Sequence, residues 1–277
     1  MSLIFIPSDG LGNLLFQHHA AYAFAKEQGL ELCAPASYYD VRPKFGEYKK
    51  LFGHVTLLGS DGPVDKPPGY DQDPGRARLL NVFQLGANPQ TVYIERGHIY
   101  SPIPPWARVL SGYFQSWKYF DKFRHEIRDL LRSNESELWE KQKAKFQGGI
   151  CVHVRRGGDA AGKPDIHPLT SPAYYARAMD RFPGAKFLVF CEEPRLIKDW
   201  PIWSGRDVEF VDEPGALATL FLMSCCDHFI LANSSLSLNA YYLRDQESAT
   251  VVAPSDWFGP AGPRFSMNDI IDKGTII

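Results

Sequence analysis

Two adjacent arginines, Arg155-Arg156, follow a short apolar run, Ile150–Val154, that itself contains His153. Guanidinium groups are permanently charged and take phosphate oxygens in pairs. Asn233-Ser234-Ser235 follows a second apolar run, His228–Ala232, and leads straight into a helical pattern. Near the start, Asp9-Gly10-Leu11-Gly12-Asn13 does the same after Leu3–Pro7. A loop feeding a helix N-terminus offers free N–H groups and a partial positive charge to an anion, and Ser234 and Ser235 add hydroxyl donors. Glu192-Glu193 ends the run Lys186–Cys191 with carboxylates suited to the N–H groups of a base such as guanine, or to ribose hydroxyls. Each feature alone has a commoner reading. An arginine pair is usually a solvated face, Asn-Ser-Ser an ordinary N-cap, and Glu-Glu-Pro a helix start. Gly10-x-Gly12 lacks the third glycine of the dinucleotide fingerprint, which disfavours a nicotinamide cofactor. Their convergence at the ends of neighbouring strands, where open parallel sheets bind ligands, points to a diphosphate and hence to a nucleotide-sugar site.

Other polar residues sort around that site. Asp71-Gln72-Asp73 has the D-x-D pattern of metal-dependent sugar transfer, but it lies in a Pro/Gly-rich loop with no strand before it, so no metal is expected. His18 of the His18-His19 pair is expected to face a cleft. Asp159, Asp165 and His167-Pro168 fall in a glycine-containing stretch that reads as a flexible active-site loop. Five cysteines, without a CxxC pair, argue for reduced thiols rather than a disulfide scaffold or zinc knuckle.

The elements that must position these residues are short. Ile150–Val154, Lys186–Cys191, Val208–Val211, His228–Ala232 and Thr250–Ala253 read as strands. They alternate with helical patterns at Pro172–Phe182, Arg195–Trp200, Ala216–Cys226 and Leu236–Leu243. That alternation predicts βαβ units on a parallel sheet. The N-terminal half opens with a strand at Leu3–Pro7, a helix up to Gly29 and a strand at Leu30–Ala34. Further strands are expected at Thr91–Ile94 and Val109–Phe114, and helices at Tyr119–Ser133 and Glu135–Phe146. Residues 35–90 read as irregular, loosest at Asp61–Gly75. The glycines after Gln147 place a boundary between domains 1–147 and 148–277. Thirty basic against 32 acidic residues give a net charge of −2, which argues against a nucleic-acid binder. No apolar run approaches the ~20 residues that span a bilayer, and Met1–Pro7 lacks the basic flank of a signal peptide. A cytoplasmic protein, able to work beside a membrane, is expected.

Several ordered stretches carry a family resemblance. Gly10-Leu11-Gly12-Asn13-x-x-Phe16-Gln17-x-x-Ala20-x-Tyr22-Ala23 and Gly112-Tyr113-Phe114-Gln115-Ser116-x-Lys118-Tyr119-Phe120 resemble motifs of the α-1,2-fucosyltransferases, glycosyltransferase family 11. Val152-His153-Val154-Arg155-Arg156-Gly157-x-Asp159 resembles the H-x-R-R-G-D motif shared with α-1,6- and protein O-fucosyltransferases. Leu222-Met223-Ser224-x-Cys226, Ile230-x-Ala232-Asn233-Ser234-Ser235-x-Ser237 and Pro254-x-x-Trp257-Phe258 resemble the family's later motifs. The resemblance implies an α/β, GT-B-like fold: two Rossmann-like domains with parallel sheets facing across a cleft. The N-terminal domain would take the acceptor and the C-terminal one GDP-β-L-fucose, with no cofactor or metal required. It also implies transfer with inversion to a glycan acceptor, usually a terminal galactose. Arg155 would then contact the diphosphate, His153 the nucleotide, Ser234 and Ser235 the phosphates, with Asn13 in the N-terminal glycine loop. Arg156, Asn233, Gly10 and Gly12 join the expected donor contacts. Phe190-Cys191-Glu192-Glu193 departs from the family's Phe-Ser-Asp-Asp but keeps the carboxylates. Leu236-Ser237-Leu238-Asn239 lacks the family's usual aromatics. For the general base the candidates are Asp165, which resembles the loop carboxylate of α-1,6-fucosyltransferases, Asp159 of the motif, His18 and Asp9. A non-catalytic nucleotide- or sugar-binding protein on the same fold, and a transferase using a different GDP-sugar, remain as alternatives.

Overall fold

The computed structural model describes residues 1–40, 46–59, 88–95, 97–145, 148–156, 162–212, 215–245 and 247–277. The chain forms two compact units, Met1–Ser136 and Glu137–Ile277. The division falls one helix earlier than the Gln147–Gly149 punctuation suggests. That helix, Ser136–Lys145, brings Trp139 edge-on to Phe221 of the second unit, with ring centroids 5.9 Å apart.

In the first unit, the described strands are β1 (Ser2–Phe5), β2 (Glu31–Pro35), β3 (Thr56–Leu58), β4 (Val92–Ile94) and β5 (Val109–Ser111). They form one parallel sheet in the order β3-β2-β1-β5-β4. Ile4, Ile6, Cys33 and Val109 cluster on it, joined by Leu58 and Val92. Helix α1 (Leu11–Gln28) is buried along most of its length, from Leu11 to Ala25, and ends where Gly29 turns left-handed at φ 62. The described part of residues 35–90 is more ordered than expected. It contains short helices at Ser37–Asp40 and Tyr48–Leu51, besides the edge strand β3. Elements of three or four residues are too short to print a periodicity, which is why the sequence pattern passes over them. Asp61–Gly75, with Asp71-Gln72-Asp73, lies outside the described residues. β5 stops at Ser111, short of Phe114, because Gly112 and Phe114 take positive φ. The helix expected from Tyr119 begins only at Arg124, after two 3₁₀ turns.

The second unit carries β6 (Ile150–His153), β7 (Lys186–Phe190), β8 (Asp207–Val211), β9 (His228–Ile230), β10 (Val251–Ala253) and β11 (Thr275–Ile276). Their order is β11-β10-β9-β6-β7-β8, parallel throughout. This is the doubly wound order 3-2-1-4-5-6 viewed from the other edge. Its central strands β6, β7, β9 and β10 are mostly buried apolar runs because both faces are covered. Val152, Val189, Ile230 and Val252 pack with Tyr174, Tyr175 and Met179 of the helix Pro172–Met179. Burying each such side chain contributes roughly 1.5–3 kcal/mol. Tyr174 keeps its hydroxyl satisfied by donating to the carbonyls of Leu231 and Val252. The α/β reading with two parallel sheets therefore holds. The short helix expected at Arg195–Trp200 is a 3₁₀ turn at Pro194–Leu196.

Candidate functional site

In a sheet of this order the chain runs outward in opposite directions from β6 and β9, which leaves a crevice at their carboxyl ends. His153, Arg155 and Arg156 arrive there on β6, and Asn233, Ser234 and Ser235 on β9. Arg155 Nη1 donates to the backbone carbonyl of Asn233 at 3.4 Å, so the two strand ends meet. Ser234 is the extended residue before the helix Ser235–Tyr242. Its hydroxyl makes no capping bond. A guanidinium, a hydroxyl and a helix start, the groups that an anion takes, are thus brought to neighbouring strand ends.

His153 is buried, and burial first and the Arg155 guanidinium second push its pKa down to about 3. The imidazole is therefore neutral at physiological pH. Its Nδ1 has no hydrogen-bond partner among the described residues.

The two arginines behave differently. Arg156 Nη1 donates to the carbonyl of Arg155 at 2.8 Å and Nη2 to that of Thr170 at 2.6 Å. Its guanidinium lies 5.0 Å from the centre of the Trp200 ring. Arg156, expected as a second phosphate ligand, thus also braces the loop that carries Arg155. Asn233 is buried, and its Nδ2 donates to the carbonyls of Pro168 (2.8 Å) and Trp257 (3.4 Å), while Thr170 Oγ1 donates to its Oδ1 at 3.5 Å. The amide thus joins the loops that carry Pro168, Thr170 and Trp257.

Glu192 and Glu193 sit at the carboxyl end of β7, the next strand out. With Lys198, Phe210 and Asp212 they line a cavity of about 410 Å³. Glu193 accepts from Arg195 at 2.9 Å. An acidic residue at the end of the second strand is where this fold binds ribose hydroxyls.

Asp165 is exposed, but its backbone is pinned. Its carbonyl accepts the Ala261 N–H at 3.0 Å, and that of Ile166 accepts Gly259 N–H at 3.0 Å. A Cβ at Gly259 would lie 2.4 Å from the Asp165 carbonyl oxygen. His167 and Phe258 place their rings 5.8 Å apart. The described part of the expected flexible loop is thus fastened to the segment after Ser255. Asp159, with Gly157 and Gly158, lies outside the described residues.

Gly10, Gly12 and Asn13 belong to the first unit, whereas Arg155 belongs to the second. Gly10 precedes α1 with extended backbone, and the N–H groups of Asn13 and Leu14 donate to its carbonyl. Asp9 stands at φ 60, its carbonyl accepting the Tyr38 hydroxyl at 2.6 Å. Gln115 Nε2 donates to Asn13 Oδ1 at 2.8 Å, which ties the loop after β5 to the first turn of α1. His18 is a core residue and not the cleft histidine expected. It is wholly buried, Nε2 is 2.7 Å from His54 Nε2, Nδ1 is 3.2 Å from His19 Nδ1, and burial holds its pKa well below the usual value.

Thr170, Trp200, Trp257 and Gln115 were not singled out as functional from the sequence. The first three act through backbone carbonyls or a ring face, which leave no residue-type signature. Gln115 and Trp257 do lie inside quoted motifs, and that was their only signal. Among the described residues no group of three or more His, Cys, Asp or Glu side chains is placed to hold a metal ion. No helix among them is long and apolar enough to cross a membrane.

The sequence model of Glycosyl transferase family 11 matches residues 98–268, more than half of the chain. An alpha-1,2-colitosyltransferase of Escherichia coli is 26% identical over 159 residues, 53% of this chain and 55% of that protein. A galactoside 2-alpha-L-fucosyltransferase of Caenorhabditis elegans is 28% identical over 201 residues, 58% of this chain and 53% of that protein. Each of these two matches spans about half of the relative's length. A crystal structure of the fucosyltransferase NodZ from Bradyrhizobium aligns with a TM-score of 0.47 at 15% identity, over 88% of this chain and 94% of that one.

Proposed function

The chain belongs to glycosyl transferase family 11, and from that membership we propose that it transfers L-fucose from GDP-β-L-fucose, with inversion, to the 2-hydroxyl of a terminal galactose in a glycan. The observation that carries this reading is the meeting of Arg155 with Asn233-Ser234-Ser235 at the switch point between β6 and β9. In the transfer the bond from the anomeric carbon to the β-phosphate oxygen breaks, and the electron pair leaves with GDP. The acceptor oxygen forms the new bond from the opposite face and gives up its proton. Charge grows on the departing diphosphate, so a preorganised guanidinium and helix-start donors stabilise the transition state more than the ground state. His153, neutral, sits beside Arg155 without repelling it. Glu192 and Glu193 suit the N–H edge of guanine or the ribose hydroxyls. Asp165, exposed and on a pinned loop, is the base that takes the acceptor proton.

One relative is named for colitose and the other for 2-α-L-fucosyl transfer to galactosides. The donor sugar is therefore the first thing to test. Calorimetry with GDP, UDP and ADP should give tight binding to GDP alone. GDP-fucose with lactose should yield an α-1,2-linked product by NMR, and other GDP-sugars should turn over more slowly. Equal binding of the three nucleotides would overturn the donor assignment. Tight GDP binding with neither transfer nor donor hydrolysis would leave a binding module instead.

A further inference from the structure

The turn after β5 in the first unit is strained, and the strain has a specific support. Gly112 has φ +149, and a Cβ there would lie 2.5 Å from the Cβ of Glu95. Phe114 has φ +52, a conformation uncommon for a bulky residue. Such strain persists only where the surroundings over-determine it, and it clusters at ligand sites. Here the surroundings are Glu95. One buried carboxylate oxygen accepts the N–H of Tyr113 at 2.8 Å and of Phe114 at 2.5 Å, and the other accepts the Tyr119 hydroxyl at 3.3 Å. The Glu95 N–H donates to Ser111, the last residue of β5, at 2.8 Å. The Phe114 ring is buried near Tyr93 and Tyr119.

This arrangement turns Tyr113 the other way. Its side chain is 38% exposed, and its ring lies nearly parallel to buried His98, 5.4 Å between centroids and 21° between planes. The next polar residue, Gln115, reaches Asn13 in the first turn of α1, which the loop after β1 leads into. Both loops sit at the carboxyl ends of β1 and β5, where the strand order of this sheet reverses and where such sheets take ligands. A flat, backed aromatic face with two amide side chains at the same strand ends suits a neutral ring with an apolar face and a rim of hydroxyls. A galactopyranose offers that shape, with the C–H groups of C3, C4 and C5 on one face.

We propose that Tyr113 is the sugar-stacking face of the acceptor site, taking the apolar face of a terminal galactose, and that Glu95 is the positioning residue that holds it there. The proposal rests on the transferase reading above and names the surface that would recognise its acceptor. Tyr113→Ala should raise KM for lactose tenfold or more, with a much smaller change in kcat and an unchanged Kd for GDP. Tyr113→Phe, which keeps the ring, should hold the rise below threefold. Glu95→Ala should reproduce the Tyr113→Ala effect. Glu95→Gln, which keeps a carbonyl oxygen for the two N–H groups, should recover most of the loss. A KM for lactose within twofold of wild type in Tyr113→Ala overturns the assignment, as does an equal loss of GDP affinity. If Glu95→Ala does not fold, the Tyr113 pair still decides the stacking role, and Glu95→Gln against wild type decides the positioning role. Saturation-transfer NMR with lactose separates this proposal from the transferase reading. Saturation of the galactose protons that disappears in Tyr113→Ala supports the site even if no transfer occurs. Absence of saturation in the wild-type protein overturns it.

Discussion

Arg155 and Arg156 are neighbours in the chain with unlike surroundings, and their substitutions should separate. Arg155 stands at the switch point beside Ser234, so Arg155→Ala should lower kcat/KM by roughly 10² or more while the melting temperature stays close to wild type. Arg156 is engaged by the carbonyls of Arg155 and Thr170 and by the Trp200 ring. Arg156→Lys keeps the charge but loses the planar fork and the stack. It should lower both the melting temperature and GDP affinity, and a melting temperature equal to wild type would leave Arg156 the phosphate-ligand role alone. Asp165→Asn should lower kcat more than tenfold with little change in GDP affinity. If that variant keeps wild-type turnover and an unchanged pH–rate profile, the base lies elsewhere. With permanent positive charge on Arg155, turnover should survive EDTA. Loss in EDTA with recovery on adding Mn²⁺ would assign the diphosphate to a metal.

At the scale of elements, the loops at the strand ends decide the chemistry and the strands only deliver them. The sequence pattern locates β6 to β10 of the second unit to within a residue or two because they are short runs, mostly apolar, between helical patterns, and it passes over the two-residue β11. It does not reveal how loops far apart in the chain clasp one another. Gly259 shows the point: what its Cβ would meet, at 2.4 Å, is the Asp165 carbonyl oxygen, with the Asp165 carbonyl carbon at 2.9 Å, so no side chain can move aside. Gly259→Ala should therefore displace the Asp165 backbone, lowering kcat and the melting temperature together. A fully active, equally stable Gly259→Ala would mean that this approach relaxes freely.

Across the whole molecule, both units bury neutral histidines. Burial holds His19 and His153 down to about 3 and His54 to about 4, with His18 well below its usual value. In the first unit they form a chain. Asn134 Nδ2 donates to His54 Nδ1 at 2.9 Å, which leaves His54 Nε2–H to donate to His18 Nε2, and His18 Nδ1–H to donate to His19 Nδ1. Unfolded, each histidine titrates near 6.5. The folded state resists the proton, so stability is fully present above pH 6.5 and is lost as pH falls from there towards 4. For His153 alone the loss at pH 5 is on the order of 2 kcal/mol. Urea midpoints should fall steadily from pH 7 to pH 5. A flat profile over that interval would show that these imidazoles are protonated without penalty.

The sequence by itself determined the parallel α/β class and the placing of Arg155, Ser234 and the glutamates at the ends of its strands. Those properties are local: an apolar run, a helix start and the identity of a charged group are all written in consecutive residues. Only the tertiary structure decided that Arg156 meets the Thr170 carbonyl, that Asn233 meets the Pro168 carbonyl, that His18 is core, and that Gln115 meets Asn13. It also decided that the helix Ser136–Lys145 brings Trp139 to the second unit. Each of these depends on a partner distant in the chain. Several of the partners are backbone carbonyls, which every residue carries and which no pattern of side chains can announce.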